Sequence, residues 1–482
     1  MNTLVAGGAG YIGSHTAKAL GQARRLPVSP LWAILACALL LRILLPSAVL
    51  ALRHDPSVFV ARDTPDYVRP AEAMLSSGAF DGDGQPEIER TPGYPVFLMP
   101  GLIAGRLATV TVALQIFVST LTVVLVYLTS KLLFSRKIAY WSAALYTIEP
   151  LSVVYCSQIL SETLFTFLLV LFVYQTVCYL KQGKLPVLLA AALSLAAATY
   201  VRPVSYYLPI AIVLIVFYAS LQKHRRLIAM THVLGFVFLY AVLVGAWQAR
   251  NYRVSGYGGF SALEGFNLYF NQGSSIIAKT TGKPFYTVQE KLGYYSSAQY
   301  DNEHPDQKMW SPAQKNAFMR REGLELIKNN LLTYAFIHLK GMAVVIADPG
   351  GMEYSKIFKK YPAVGGLLGT VTDAGILSAL NFLRTRYPFS FYTLGCLGLM
   401  LLGYMTLAVS GAVLAWREAR IAAVLLITIV VYFAVLSGGP MATGRYRHPI
   451  MPIVCIFAGY ALAFTYRAAL GPWWKSNRAS EY

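Results

Sequence analysis

Charge is scarce in this 482-residue chain: Asp, Glu, Lys and Arg together make up 13% of it, against 56% hydrophobic residues. So little charge excludes a string of soluble domains, which need polar side chains to cover their surfaces. Cysteine is also sparse. All five, Cys37, Cys156, Cys178, Cys396 and Cys455, lie inside apolar runs with no CxxC spacing, which argues against a disulfide framework or a thiolate zinc site and for simple packing. There is no HExxH, no paired histidine and no carboxylate cage, so spacing gives no argument for a metal, and no cofactor is expected. Acidic residues are the rarer sign, 22 against 41 basic ones, and the first of them is Asp55.

That late first acid decides how the N-terminus is read. Gly7, Gly10 and Gly13 have the spacing of a dinucleotide-binding turn, and GGAGYIGSHTAKAL resembles the opening of nucleotide-sugar epimerases over about twenty residues. Such a fold needs a second strand with an acidic residue about 20 positions on, to hold the adenosine ribose. Here the chain runs instead into the apolar segment Leu31–Leu52. A lone strand-helix unit cannot enclose a cofactor. Residues 1–28 are therefore read as a vestigial Rossmann-like fragment, NAD is not expected, and the working domain is 29–482.

What the chain has in abundance is long apolar runs, each near the roughly 20 residues that a helix needs to cross a bilayer. Candidate spans are 31–52, 107–130, 138–158, 159–180, 185–200, 203–221, 227–248, 388–416, 421–438 and 449–468. The run 332–347, followed by Lys356, Lys359 and Lys360, raises the expectation from about ten helices to as many as twelve. The basic residues behind the formal charge of +19 sit mostly between the apolar runs, and among them are short connectors: Lys131, Arg136 and Lys137; Lys181 and Lys184; Lys223, Arg225 and Arg226; Arg417 and Arg420. Basic connectors of this kind mark the cytoplasmic side and suit anionic lipid headgroups, so membrane lipid and not nucleic acid is the expected partner. Two long segments then face outward, 53–106 and 249–387. Proline and glycine at Pro203, Gly439, Pro440 and Pro449 fall at outer ends of spans, where irregular backbone has to be buried or wet.

The first outward segment contains ARDTPDYVRPAEAML and, before the chain re-enters the membrane, ERTPGYPVFL. Thr64 and Pro65 read as an N-cap and first helical position, with Tyr67, Ala71 and Met74 forming an apolar stripe, although Pro70 interrupts the pattern. Asp63 stands just before that helix, where backbone donors favour a carboxylate. D-T-P-D-Y, R-T-P-G-Y-P, S-E-T-L-F at 161–165, W-Q-A-R-N-Y at 247–252 and R-Y-R-H-P at 445–449 together resemble GT-C glycosyltransferases. The specific likeness is to glycosyltransferase family 39, the protein O-mannosyltransferase and lipid A aminoarabinose transferase branch, and the set runs over nearly the whole chain from residue 31.

The resemblance implies an all-α polytopic GT-C-like bundle with interfacial helices. It also implies a catalytic acid in the first outward loop four residues before a tyrosine, which falls on Asp63 before Tyr67, with Asp66 as the alternative base. Relatives with adjacent acids in this motif differ from the chain here, where Thr64 follows Asp63. Arg90 matches the place of a basic residue facing the carrier phosphate, with Tyr94 as its interfacial neighbour, and Glu162 matches an acid near the catalytic cavity. Independently of the resemblance, Glu162 lies in an apolar run and needs a polar cavity or a cationic partner, with Glu149 at the mouth of the same hairpin. Arg202, Arg250, Arg445 and Arg447 all sit at outer ends of spans, where one cavity could gather them around an anionic headgroup, or each could merely snorkel to the interface. His448 reads as a hydrogen-bonding structural residue. The stretches 265–275 and 293–300, rich in Tyr, Asn and Gly, are candidates for acceptor contact, and AQKNAFMRREGLELIKNN reads as a surface helix with Phe318, Leu324 and Ile327 on its apolar side.

The implied activity is transfer of a sugar, with inversion, from a polyprenyl-phosphate donor to a glycolipid, polysaccharide or protein acceptor at the periplasmic face of a bacterial inner membrane. The competing reading is a polytopic flippase or transporter for lipid-linked sugars, which suits many spans with buried charge but not the motifs of 53–106.

Overall fold

The computed structural model describes residues 29–82, 84–358, 377–378 and 380–469. The glycine turn at Gly7, Gly10 and Gly13, the fragment 1–28, and Lys359 and Lys360 lie outside the described residues. The first part of the chain forms α1 (Pro30–Arg53), α2 (Pro65–Ser76), α3 (Gly93–Ile103), α4 (Leu107–Leu133), α5 (Arg136–Thr147), α6 (Pro150–Tyr155), α7 (Glu162–Gln182), α8 (Leu185–Val201), α9 (Leu208–Leu221) and α10 (Arg226–Ser255). A small helical module follows, with α11 (Leu263–Phe266), α12 (Ser274–Thr281), α13 (Phe285–Lys291), α14 (Ser297–Glu303) and α15 (Pro312–Asn329). The chain continues as α16 (Leu331–Ala347), α17 (Gly351–Ile357), α18 (Pro388–Glu418), α19 (Arg420–Leu436) and α20 (Met451–Ala469). Among the described residues the strands are two-residue pieces, β1 (Asp81–Gly82) and β2 (Gln85–Pro86), paired antiparallel in the first loop.

This is a polytopic helical membrane protein. Among the described residues six helices are long and apolar enough to cross a membrane unaided: α1, α4, α7, α10, α18 and α20, the last counted from Gly444. The pair α15 and α16, bent by 102°, raises that to seven if taken as one span, and α3, α8, α9 and α19 are apolar but shorter. The apolar run 138–158, expected as one span, is instead two helices. Glu149 stops the first by turning its carboxylate onto the backbone N–H groups of Leu151 and Ser152, and Pro150 then opens α6. The 12-residue α5 is only about 18 Å long, short of a hydrocarbon core.

Helices α7 and α20 form the centre. α20 packs on α18 and α5, and α7 packs on α4 and α8. The outer faces of α9, α10 and α18 present Leu214, Phe238 and Leu399 unpartnered, as lipid-facing residues should be when the solvent is itself apolar. α7 ends at Gly183, whose φ of 69° supplies a left-handed stop, and Pro186 starts α8 within three residues. One unexpected charge sits in this apolar interior: Arg42, fully buried in α1. It donates to Ser119 Oγ (2.7 Å), Ser152 Oγ (3.0 Å) and the carbonyls of Ala38, Tyr146 and Thr147, so it ties α1 to α4 and to the break between α5 and α6.

Of the tyrosine-rich stretches expected to contact an acceptor, 265–275 is mostly interior to the small module, while 293–300 is exposed around Tyr295. Tyr269, Phe270 and Tyr300 form the module's core, with Phe266 and Phe318 packed against them. Its long helix α15 is the expected surface helix, opened by a capping box in which Ser311 and Gln314 satisfy each other's backbone N–H.

Candidate functional site

The site is built where three irregular pieces meet: the first loop with α2 and α3, the turn 156–161 between α6 and α7, and the 3-10 turn Gly444–Ile450 before α20. The turn 156–161 is held from both sides. Gln115, buried in α4, donates to the carbonyls of Cys156 (3.1 Å) and Gln158 (2.7 Å), and accepts from the Tyr94 hydroxyl (2.8 Å). Ile159 N–H donates to Phe59 O, and its carbonyl accepts from Thr64 Oγ1 (2.8 Å), which in turn accepts from Ala61 N–H. Thr64 is thus the residue before α2, as expected, but its hydroxyl fastens the loop to the turn and makes no cap bond to the helix. α2 forms despite Pro70, which is buried inside it.

Two glycines set the remaining registers. A Cβ on Gly93 would lie 2.7 Å from the Tyr200 backbone, so only glycine lets the start of α3 abut the end of α8 and bring Arg90 and Arg202 to the same side. A Cβ on Gly444 would lie 2.6 Å from Asp348 O, while Gly444 N–H donates to Asp348 Oδ2 at 2.6 Å, which fixes the turn that carries Arg445.

The charged side chains fall into two adjoining nests. In the inner one, Arg445 Nη1 meets Asp63 Oδ2 at 2.8 Å, its Nε pairs with Glu162 Oε1, and Arg202 Nη1 pairs with the same Glu162 oxygen. Glu162 is 1% exposed, while Asp63, Arg202 and Arg445 are partly open. In the outer nest, Arg90 Nη2 meets Asp66 Oδ2 at 2.6 Å and Asp66 Oδ1 meets Arg69 at 3.0 Å. Tyr67 and Ser161 join the two: Arg90 donates to the Tyr67 hydroxyl (3.4 Å) and lies over its ring, the Tyr67 hydroxyl bonds Ser161 Oγ (3.2 Å), and Arg202 donates to Ser161 Oγ (3.5 Å). A continuous polar line therefore runs from Asp66 through Arg90, Tyr67, Ser161, Arg202, Glu162 and Arg445 to Asp63.

Of the residues singled out from sequence, Asp63, Glu162, Arg202 and Arg445 come together, with Asp66, Tyr67 and Arg90 beside them. Three are placed elsewhere. Arg250 is occupied by the first loop, donating to Phe80 O and Glu87 O at 2.6 Å each and stacking on Trp247, so it braces the loop and does not face the nests. Arg447 is 2% exposed and gives Nη1 to the carbonyls of Val345, Ile346 and Asp348 at the end of α16, which otherwise lack partners because the helix stops there. Tyr94, expected at the interface, is fully buried behind Tyr67, with ring centroids 5.0 Å apart. His448 bonds Thr166 Oγ1 through Nδ1 (3.2 Å) and packs on Tyr155.

Sequence reasoning passed over Ser161, Arg69, Gln115 and Arg42. The signal for Arg42 was available, because it is the one charged residue between Leu31 and Leu52. At the rim, Arg62 lies over the rings of Tyr294 (5.7 Å) and Tyr295 (5.9 Å), the point where the small module meets the first loop. Glu89, next to Arg90, is exposed but walled in by protein. Desolvation first, then Glu87, push its carboxyl up to about 7 against the opposing pull of Arg90. Among the described residues no group of three or more His, Cys, Asp or Glu side chains is arranged to hold a metal ion.

The helical polytopic fold is GT-C-like, as the sequence resemblance implied. Over residues 98–247 the chain matches the family described as dolichyl-phosphate-mannose-protein mannosyltransferase. That stretch holds Glu162 and Arg202; Asp63, Arg90 and Arg445 lie outside it. The fold is similar to that of the Archaeoglobus fulgidus oligosaccharyltransferase. Its apo crystal structure shares 12% identity at a TM-score of 0.51, with 91% of this chain and 52% of that one covered. The form tethered to an acceptor peptide containing the NVT sequon gives 14% identity, a TM-score of 0.50, and 91% and 50% coverage. The complex with zinc and sulfate gives 12% identity, a TM-score of 0.50, and 92% and 49% coverage. The chain spans about half the length of these structures. Comparison with curated protein sequences returned no match.

Proposed function

We propose that this protein transfers a sugar from a polyprenyl-phosphate carrier to an acceptor hydroxyl or phosphate on the non-cytoplasmic side of a bacterial inner membrane, inverting the anomeric carbon. The observation that carries the reading is the meeting of Asp63 and Glu162 on Arg445, with Arg202 alongside, at the mouth of a membrane bundle. Opposed charges are what the reaction needs, since a glycosyl phosphate already carries an activated anomeric carbon. Asp63 removes the proton of the acceptor hydroxyl, whose oxygen bonds the anomeric carbon as the bond to the phosphate oxygen breaks. The electron pair leaves on the phosphate, where Arg445, Arg202 and Arg90 meet the developing charge. Single displacement at that carbon gives inversion. A lipid-phosphate donor and a protein acceptor are supported by the matched family, described by dolichyl-phosphate-mannose and protein, and by the fold neighbour captured with an acceptor peptide.

The inner nest is electrically balanced, two guanidiniums against two carboxylates. A lipid phosphate arriving at Arg445 and Arg202 therefore competes with Asp63 for Arg445. Donor binding frees the Asp63 oxygen that now holds Arg445, so the base becomes available only once there is something to transfer.

The test uses the full chain in reconstituted membranes with lipid-linked sugar. Asp63→Asn is expected to lower transfer by about 10²- to 10⁴-fold, the usual weight of a general base, while Asp66→Asn keeps most of it. Full transfer by Asp63→Asn with loss in Asp66→Asn moves the base three residues along. A protein that moves the lipid across the membrane and leaves the glycosyl phosphate intact is a flippase, and the reading fails.

A further inference from the structure

Around Tyr155 the inner nest borders a polar patch in which two buried atoms, the Tyr155 hydroxyl and Glu162 Oε2, have no protein partner. The hydroxyl of Tyr155, at the end of α6, is fully buried and without a hydrogen bond. The charged groups around it are Glu353 of α17, then Arg445 and Glu162. Glu162 gives only Oε1 to the two arginines, and its Oε2 is buried and unpartnered. Gln158, 7% exposed, reaches Glu353 Oε2 with its side-chain nitrogen at 3.5 Å, the outer limit of a hydrogen bond. The other Glu353 oxygen meets the exposed Lys356 at 3.0 Å, so one edge of this patch is open to water.

Buried polar groups keep partners, and the protein supplies none to the Tyr155 hydroxyl or Glu162 Oε2. The set is mixed: two carboxylates that only accept, a phenol that donates and accepts, and an amide that does both. A cation would leave the phenol and the amide nitrogen facing positive charge. A ring with several hydroxyls, each both donor and acceptor, satisfies all of them. The patch is also rigid, because Gln115 and Thr64 hold the turn 156–161 on which Gln158 sits. Arg445 gives Nη1 to Asp63 and Nε to Glu162.

We infer that Tyr155, Gln158 and Glu353 form the subsite that binds the hydroxyls of the sugar carried on the lipid phosphate. This rests on the donor reading above. With phosphate on Arg445 and Arg202 and sugar hydroxyls on the adjoining patch, the charge and the sugar of the donor are read by different residues.

Binding of four probes to the detergent-purified full chain tests it: polyprenyl phosphate alone, and the same lipid carrying mannose, glucose or aminoarabinose. Wild type is expected to bind one of the sugar lipids more tightly than the bare lipid. Tyr155→Phe and Glu353→Gln are each expected to cut that preference by about tenfold, the worth of one hydrogen bond in a built site, and to leave bare-lipid affinity unchanged. Equal wild-type affinity for all four lipids, or variants that keep the wild-type preference, overturns the subsite. Loss of bare-lipid binding in both variants also overturns it, by assigning the residues to the fold. An unchanged donor preference with a raised KM for acceptor places the sugar patch on the acceptor side and likewise overturns it. A different result sinks the donor reading itself: no binding of any polyprenyl phosphate by wild type, or binding untouched by Arg202→Ala and Arg445→Ala.

Discussion

The two nests are neighbours, yet they are assembled in opposite ways. The outer one is local: Asp66, Arg69 and Arg90 come from a single loop, and Asp66 and Arg69 are more than a third exposed. The inner one draws Asp63, Glu162, Arg202 and Arg445 from four separated parts of the chain around a carboxylate that is 1% exposed. Exposed pairs are worth about 0–1 kcal/mol each, whereas breaking a buried pair costs about 3–5 kcal/mol because an uncompensated charge stays behind. The outer nest, with two arginines against Asp66, has cationic charge to offer an approaching phosphate. The inner one has none until a carboxylate lets go. Capture and chemistry are thereby divided between the two.

Glu162→Gln strikes hardest at that division. Two guanidiniums lose their shared buried partner, so a stability loss of about 3–5 kcal/mol is expected together with loss of transfer, read as melting in detergent and turnover in liposomes. A variant that melts like wild type would show that the inner nest is not the buried ion cluster described here. Arg445→Lys against Arg90→Lys gives the next contrast. Lysine is a point charge and cannot hold Asp63 and Glu162 on two edges, so kcat/KM is expected to fall about 100-fold at 445 and about tenfold or less at 90, where one edge suffices. Equal losses would erase the distinction between the nests.

Glu89 has the smallest effect and a definite sign. Its carboxyl is raised from its ordinary 4.5 to about 7, so the neutral form is the favoured one in the fold. The stability it contributes is full below about 4.5 and is lost as pH rises through about 7. Glu89→Gln should flatten the melting temperature over that interval by a small amount, because the side chain retains contact with water.

Hydropathy located most of the long helices to within a few residues: 31–52 became Pro30–Arg53, 107–130 became Leu107–Leu133, and 388–416 became Pro388–Glu418. It failed at 138–158, where averaging over a window passed across Glu149–Pro150, two residues that stop one helix and start another. It also could not sort the four arginines at outer ends of spans. Arg202 and Arg445 find carboxylates, while Arg250 and Arg447 find backbone carbonyls left over where β2 and α16 end. Which of these an arginine meets depends on tertiary placement, and no spacing rule carries it. The joining residue Ser161 was likewise hidden, because a serine before a glutamate at a helix start reads first as a cap. The tyrosines of 265–300 were read by composition as surface, which holds for Tyr286 and Tyr295, but the small module buries Tyr269 and Tyr300 as its core.

The order in which the chain is made bears on Arg42. At the middle of a membrane-spanning helix, an arginine costs about 2.5–3.5 kcal/mol. Its side-chain partners Ser119 and Ser152 follow 77 and 110 residues later. At about 5–20 residues per second they trail it by several seconds to about 20 seconds. Until the α5–α6 break is made, Arg42 lacks its contacts with Ser152 and the carbonyls of Tyr146 and Thr147, and truncation after α4 is expected to leave it Ser119 and Ala38 O alone.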